Sequence, residues 1–252
     1  MITIRNLTKC FNTLVAVNNL NLEIKQGELF GFLGPNGAGK TTTLRMMAGL
    51  IKPTSGTIII DSHDLALNPL AAKQVTSFIP DRPYLYNKLT GRELLRFIGG
   101  LYRLPDEETA VRAAHLLNLF SLTDWSDELI ETYSHGMKQR LVMAAALLPR
   151  PKVIIVDEPM VGLDPAGSKL VKDLFKGLCA RGATVFMSTH SLEIVEELCG
   201  RIGIIQDGRL IAVGTLKELR DMTGAVGKKL EEIFFKLTDE QERGDLTTAL
   251  RV

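Results

Sequence analysis

The segment Leu29-Phe30-Gly31-Phe32-Leu33-Gly34-Pro35-Asn36-Gly37-Ala38-Gly39-Lys40-Thr41-Thr42 runs from a strand-like stretch through a glycine turn into a helix start. Its centre fits the pattern GxxxxGK[ST], in the strand-to-helix context that gives the pattern meaning. The glycines let successive backbone N–H groups turn inward around an anion, and the helix that follows adds the positive end of its dipole. Lys40 can reach the terminal oxygens of a bound polyphosphate, and the Thr41 hydroxyl can ligate Mg2+. The helix carries Leu44, Met47 and Leu50 at helical spacing over 41–50 and stops at the Ile51-Lys52-Pro53 breaker.

Ile2/Ile4 and Leu20/Leu22/Ile24 alternate as strands before this segment, and a strand over 58–60 follows the Pro53-Thr54-Ser55-Gly56 turn after it. A buried-type strand over 75–79 ends at Pro80. The texture then becomes helical, with helices expected over 91–102, 106–119, 126–130 and 136–148. Short apolar strands return at 153–156, 184–187 and 202–205, with helices over 168–179 and 192–198 between them, and Asp207-Gly208 turns the last strand into one over 210–213. This alternation predicts an α/β fold, a P-loop NTPase core with a mostly parallel sheet, an antiparallel β subdomain near the N-terminus and an inserted helical subdomain. The expected boundaries give 1–82 and 151–216 to the core, 83–150 to the helical insertion and 217–252 to an amphipathic tail holding one short helix with a frayed end.

The composition suits a folded chain: of 252 residues, 45% are hydrophobic and 23% charged, enough apolar side chain for a sizeable core. Thirty Lys+Arg against 29 Asp+Glu leave a net charge of +1, so no bulk attraction to nucleic acid or anionic lipid is expected. Cys10, Cys179 and Cys199 are widely spaced and never in CxxC, which suits reduced thiols in a cytosol. The opening residues Met1-Ile2-Thr3-Ile4-Arg5 read as a strand and not a secretory leader, and no run of 18 apolar residues predicts a membrane span. The chain is expected to stay in the cytoplasm and to meet a membrane only through another protein.

A second phosphate-site element stands at Val153-Ile154-Ile155-Val156-Asp157-Glu158. A buried strand delivers both carboxylates at its C-terminal end, where ligands bind in open α/β sheets. Asp157 suits the Mg2+ shell, and Glu158 suits a general base that polarises water. Between the two elements, Tyr133-Ser134-His135-Gly136-Met137-Lys138-Gln139-Arg140 places a serine N-cap and a glycine at a helix start. His63, His115 and His135 have no metal-ligand spacing among them.

Taken in order and spacing, these motifs resemble the ATP-binding subunit of an ABC transporter, of exporter type, over nearly the whole chain. Lys40 and Thr41 match the family's Walker A, Ser134 and Gly136 its signature sequence, Asp157 and Glu158 its Walker B, Gly162-Leu163-Asp164 its D-loop and His190 its switch histidine. The resemblance implies ATP contacts at Asn36, Gly37, Gly39, Lys40, Thr41 and Thr42, stacking of adenine on Phe11, catalysis by Glu158 and His190, and Mg2+ at Thr41, Asp157 and, at the family's glutamine position, Asp81. It also implies a head-to-tail dimer in which Ser134 and Gly136 touch the partner's nucleotide, and a separate transmembrane permease subunit that ATP hydrolysis drives, most naturally for export.

Three positions depart from the family's pattern. His135 stands where it usually has glycine, and Met137 where it often has glutamine, leaving Ser134 and Gly136 intact. Asp81 follows Ile79-Pro80 where the family has a glutamine that ligates Mg2+; a carboxylate is a hard oxygen ligand, here one methylene shorter and charged. The rival readings are a soluble ABC-type ATPase acting on nucleic acid or ribosomes, which lacks its usual tandem cassette, coiled coil or zinc cysteines here, and a P-loop kinase or GTPase, which leaves Ser134, Gly136 and His190 idle. The permease is expected to dock near Tyr84, Leu85, Tyr86 and Leu89, on the loop that joins Asp81 to the helical insertion.

Overall fold

A computed structural model describes residues 1–224 and 227–238. The chain opens with a hairpin, β1 (Ile2–Phe11) and β2 (Leu14–Ile24), in which Ile2 faces Ile24 and Leu7 faces Leu20. β3 (Leu29–Leu33) leads into α1 (Lys40–Met47), after which β4 (Ser55–Ile60) returns beside β1 and β5 (His63–Asp64) takes the edge. The result is an antiparallel sheet of order β2-β1-β4-β5. α2 (Pro69–Gln74) runs into β6 (Thr76–Ile79), and three helices follow: α3 (Gly91–Leu101), α4 (Asp106–Leu119) and α5 (His135–Leu147). The chain then alternates through β7 (Val153–Asp157), α6 (Pro165–Ala180), β8 (Thr184–Ser188), α7 (Leu192–Leu198), β9 (Arg201–Gln206) and β10 (Arg209–Gly214). Two helices end the described part, α8 (Leu216–Thr223) and α9 (Leu230–Thr238).

The second sheet has the order β10-β9-β3-β8-β7-β6, parallel except for β10. β10 folds back through Asp207 and Gly208 at φ 48° and 75°, the paired positive values that a tight two-residue hairpin requires. Helices cover one face of this sheet and the antiparallel sheet with α1 covers the other, so its strands are apolar on both sides. Alternation divides them between two cores: Ile154 and Val156 of β7 and Val185 and Met187 of β8 face the helices, while Val153, Ile155 and Phe186 face α1 and the hairpin. Phe186 stacks there on Phe30, at 5.6 Å, and meets the tilted ring of Phe32 at 5.2 Å between centroids.

Three elements differ from the sequence reading. No α-helix forms over 126–130, because Ile130 N–H donates to the Leu89 carbonyl and Thr90 bridges Leu129; this pairing leaves only 3-10 turns at Thr123–Trp125 and Ile130–Thr132. α2 was not expected, since its six residues after a helix-starting Pro69 are too few to show a period. Among the described residues, the tail from 217 onward holds two helices, not one: α8 has a Thr215/Glu218 capping box and ends at left-handed Gly224, and the charged run beyond it buries Leu230 and Ile233 in the core. The frayed end expected for the tail lies, from 239 on, outside the described residues.

Candidate active site

The register of the mixed sheet fixes where the polar residues emerge. Phe32 lies opposite Ser188, Ser188 opposite Asp157, and Val156 opposite Ile79. The 34–39 loop, Asp157-Glu158, Thr189-His190 and Pro80-Asp81 therefore leave the sheet together at the carboxyl ends of its strands, where open α/β sheets bind ligands.

Two glycines of the loop are required by close approach. A Cβ on Gly34 would stand 2.3 Å from the Ile205 carbonyl oxygen, and one on Gly39, at φ 102°, 2.4 Å from that of Ala16. Gly208 N–H donates to the Ala38 carbonyl at 3.0 Å, so the β9–β10 turn braces the loop from behind. Lys40 curls under it: Nζ donates to the carbonyls of Gly34 at 2.6 Å and Pro35 at 2.9 Å, and the residue is only 9% exposed. Burial lowers the ammonium's pKa, and the charges of Glu158 and Asp157 oppose that shift. Phosphate oxygens can take over the same Nζ donors.

Thr41 Oγ1 donates to Asp157 Oδ2 at 2.9 Å. Burial pushes the Asp157 carboxyl's pKa up, the Thr41 hydrogen bond opposes, and the charges of Asp81 and Glu158 push it further up. A hydroxyl beside crowded carboxylates is the donor set of a small hard cation. Among the described residues no group of three His, Cys, Asp or Glu closes on a metal by itself. These donors therefore fit Mg2+, which takes one or two carboxylates and fills its octahedron from water and substrate phosphates.

Glu158 sits at φ 49°, a left-handed conformation that costs a non-glycine residue about 1–2 kcal/mol. Its N–H donates to the Ser188 carbonyl at 2.9 Å, which helps to hold the turn. The turn aims the carboxylate across the sheet edge, where Oε2 accepts from Thr189 Oγ1 at 2.8 Å and Oε1 accepts from His190 N–H at 2.9 Å. Nδ1 of His190 lies 2.8 Å from the same Oε1, with its imidazole largely in solvent.

A single cavity of about 450 Å³ is lined by Phe11, Asn36, Gly37, Gly39, Lys40, Thr41, Thr42, Asp81, Asp157, Glu158 and His190. Leu14 and Ala16 line it too and were missed in the sequence; the β1–β2 register, which pairs Phe11 with Leu14, carries them there. Phe11 presents an exposed ring with the Lys9 ammonium 4.8 Å from its centroid. A larger cavity of about 710 Å³ opens elsewhere, lined by Arg112, Arg150, Lys152 and Arg181 but by no residue of the phosphate loop or the Glu158 turn. Arg112 is occupied there by the Leu147 and Leu148 carbonyls that end α5.

Ser134 and Gly136 do not line the 450 Å³ cavity. Ser134 Oγ caps α5 by accepting from Met137 N–H at 3.3 Å. The start of α5 packs instead against 162–164: the His135 imidazole fills the space of a Cβ on Gly162, and Arg140 Nη2 donates to Asp164 Oδ1 at 2.8 Å. Asp164 in turn caps α6 by accepting from Gly167 N–H at 3.0 Å.

The sequence pattern of the ABC transporter family matches residues 17–161. The linearmycin resistance ATP-binding protein LnrL of Bacillus subtilis (strain 168) is 40% identical over 89% of this chain and 72% of its own length. The chain belongs to the ABC transporter family, as an ATP-binding subunit. The Nod factor export ATP-binding protein I of Cupriavidus metallidurans (strain ATCC 43123 / DSM 2839 / NBRC 102507 / CH34) is 36% identical to this subunit, over 98% of the chain and 83% of that protein. Among solved structures, an ATP-binding subunit of an ABC transporter superposes on it with a TM-score of 0.90 at 32% identity, covering 94% of this chain and 99% of that one. A dimer of the ATP-binding cassette MJ0796 in a post-hydrolysis state with ADP and Pi superposes at 0.79 with 29% identity, covering 86% and 99%. The subunit is thus an α/β ABC ATPase domain. No helix among its described residues is long and apolar enough to cross a membrane.

Proposed function

We propose that this subunit binds Mg-ATP in the 450 Å³ cavity and hydrolyses it as a head-to-tail dimer, powering a separate permease from the cytoplasmic face of a membrane. One observation carries the reading: Lys40, Thr41, Asp157, Glu158 and His190 share a cavity from which Ser134 and Gly136 of the same chain are absent. The α5 start, with its free N–H groups and positive dipole end, is then available to a second copy's γ-phosphate. The dimeric MJ0796 cassette supports this pairing, and the words "resistance" and "export" in the relatives' names support outward transport.

In this reading the loop N–H groups of Asn36, Gly37 and Gly39, with Lys40, Thr41 and Thr42, hold the phosphates, and Phe11 takes the adenine face. Glu158 accepts the proton of the attacking water as oxygen bonds to the γ-phosphorus and the β–γ bridge breaks toward ADP. His190 orients Glu158 and reaches the γ-phosphate edge. Mg2+, held by Thr41 and Asp157, would neutralise charge on the β- and γ-oxygens. Asp81 acts through a metal-bound water or in coupling to the permease.

The test is dimerisation. In a Glu158→Gln background, Mg-ATP is expected to drive the chain from monomer to dimer on a sizing column. Adding Ser134→Arg is expected to abolish the dimer while ATP affinity of the monomer stays. A Glu158→Gln chain that remains monomeric at tens of micromolar, or a Ser134→Arg chain that still dimerises, would refute the head-to-tail site.

A further inference from the structure

The hydrolytic reading leaves helix α9 without a role, yet α9 stands against the nucleotide site. Its Phe234 closes a cavity of about 320 Å³ whose other walls are Leu33, Gly34, Pro35 and Asn36 of the phosphate loop, His190 and Leu192. One ring thus faces both the loop that holds phosphates and the histidine that holds the base. The far end of α9 is tied in separately, since Gln206 Nε2 donates to the Thr238 carbonyl at 3.2 Å. Gln206 ends β9 and precedes the Asp207-Gly208 turn, whose Gly208 N–H donates to Ala38 of the same loop. The near end is anchored by Leu230 N–H on Glu196 Oε2 at 3.4 Å, while Glu196 also pairs with Arg220 of α8.

We propose that α9 is a positioning element of the ATP site, with Phe234 its positioning residue. Resting on the reading of the cavity as a hydrolytic site, this gives α9 a share in turnover. ATP itself is held by Lys40, Thr41 and many loop N–H groups, so loosening one wall barely changes its affinity. The Glu158–His190 pair has fewer supports: His190 is exposed and bordered on this side by Leu192 and Phe234. Truncating Phe234 therefore acts on the base's geometry and lowers kcat, with little effect on KM.

The experiment compares neighbours on one helix in the full chain. Phe234→Ala is expected to lower kcat roughly three- to tenfold, below the ~10²-fold that a displacement of about 1 Å can cost, with KM for ATP within about twofold. Phe234→Leu should recover most of the loss. Ile233→Ala is the control, because Ile233 is fully buried in the core and absent from the walls of either site cavity. It should lower Tm and leave kcat of the folded protein unchanged. If Phe234→Ala does not fold, Phe234→Met is expected to lower kcat at least about twofold. Wild-type kcat in Phe234→Ala, or in Phe234→Met where the alanine variant does not fold, or an equal kcat loss in Ile233→Ala, overturns the proposal. Absence of turnover in the unaltered chain would sink the ATPase reading and this one with it, so the two failures are told apart in the same assay.

Discussion

Glu158 and His190 are joined twice: Oε1 of the glutamate accepts the histidine's backbone N–H at 2.9 Å and lies 2.8 Å from its Nδ1. Thr189 holds the other oxygen at 2.8 Å, so the carboxylate is fixed from the β8 side while its approach from the cavity is open. Glu158→Gln keeps an acceptor oxygen for these donors and loses the proton acceptor. Turnover is expected to fall ~10²–10⁴-fold with ATP affinity unchanged, read from single-turnover hydrolysis beside equilibrium nucleotide binding. A loss in affinity matching the loss in rate would move Glu158 from base to binding residue.

The parts of the site legible in the sequence are those whose chemistry is local. The loop 34–41 needs glycines at set spacings because backbone crowds backbone there, so its pattern survives in one dimension. Asp157 and Glu158 are legible because four consecutive apolar residues mark a buried strand whose carboxyl end delivers the two acids. Leu14 and Ala16 are not, since hairpin register and the approach of Gly39 to β2 bring them in. Ser134 and Gly136 carry only a helix cap by their own chemistry, and the resemblance alone assigned them to a nucleotide, one that their own chain does not bring to them. The missing helix over 126–130 fell to long-range pairing with Leu89 and Thr90, and α9 was hidden by a charged run whose apolar face shows only against α7 and α8.

Asp157 makes the stability of the nucleotide-free protein depend on pH. Its carboxyl has a raised pKa in the folded chain, so over the window just above the ordinary carboxylate value the folded state holds a proton that the unfolded state has lost. Stability therefore falls as pH rises through that window. Asp157→Asn removes this contribution and keeps an acceptor for Thr41. Its nucleotide-free Tm at neutral pH should equal or exceed the wild type's, while the rise in Tm on adding Mg-ATP, a measure of ligand linkage, should shrink. A lower Tm with an undiminished Mg-ATP shift would contradict the assignment.

Asp81 stands apart from Asp157 and Glu158 in needing the opposite kind of test. It lines the cavity and its charge reaches Asp157, but Thr41 is the side chain hydrogen-bonded to Asp157. Asp81→Ala is expected to change basal ATPase by less than about tenfold, the scale of a contact made through another ligand, and Asp81→Gln to stay within the same range. A loss as deep as that of Glu158→Gln would make Asp81 a direct metal ligand.

The loop that follows Asp81 divides its apolar residues between two tasks. Leu85 and Leu89 turn inward and pack on the core, whereas Tyr84 is 80% and Tyr86 61% exposed. Tyr86 meets the exposed Phe97 of α3 edge to face, with centroids 5.6 Å apart, so its ring is already packed on one side before any partner arrives. Tyrosines that keep one end wet are favoured interface anchors, and a pre-ordered pair loses little entropy on docking. A permease segment seated here would touch both the helical insertion and the loop from the ATP site, and so would feel their relative movement. Tyr84→Ala with Tyr86→Ala is expected to weaken co-purification with the permease subunit by at least about tenfold in apparent affinity, about 1.4 kcal/mol. ATP binding by the isolated chain and its Tm should stay near wild type, since both rings are mostly in water. Full recovery of the complex with both changes in place would remove this loop as the docking site and direct the search to the exposed face of α8 and α9.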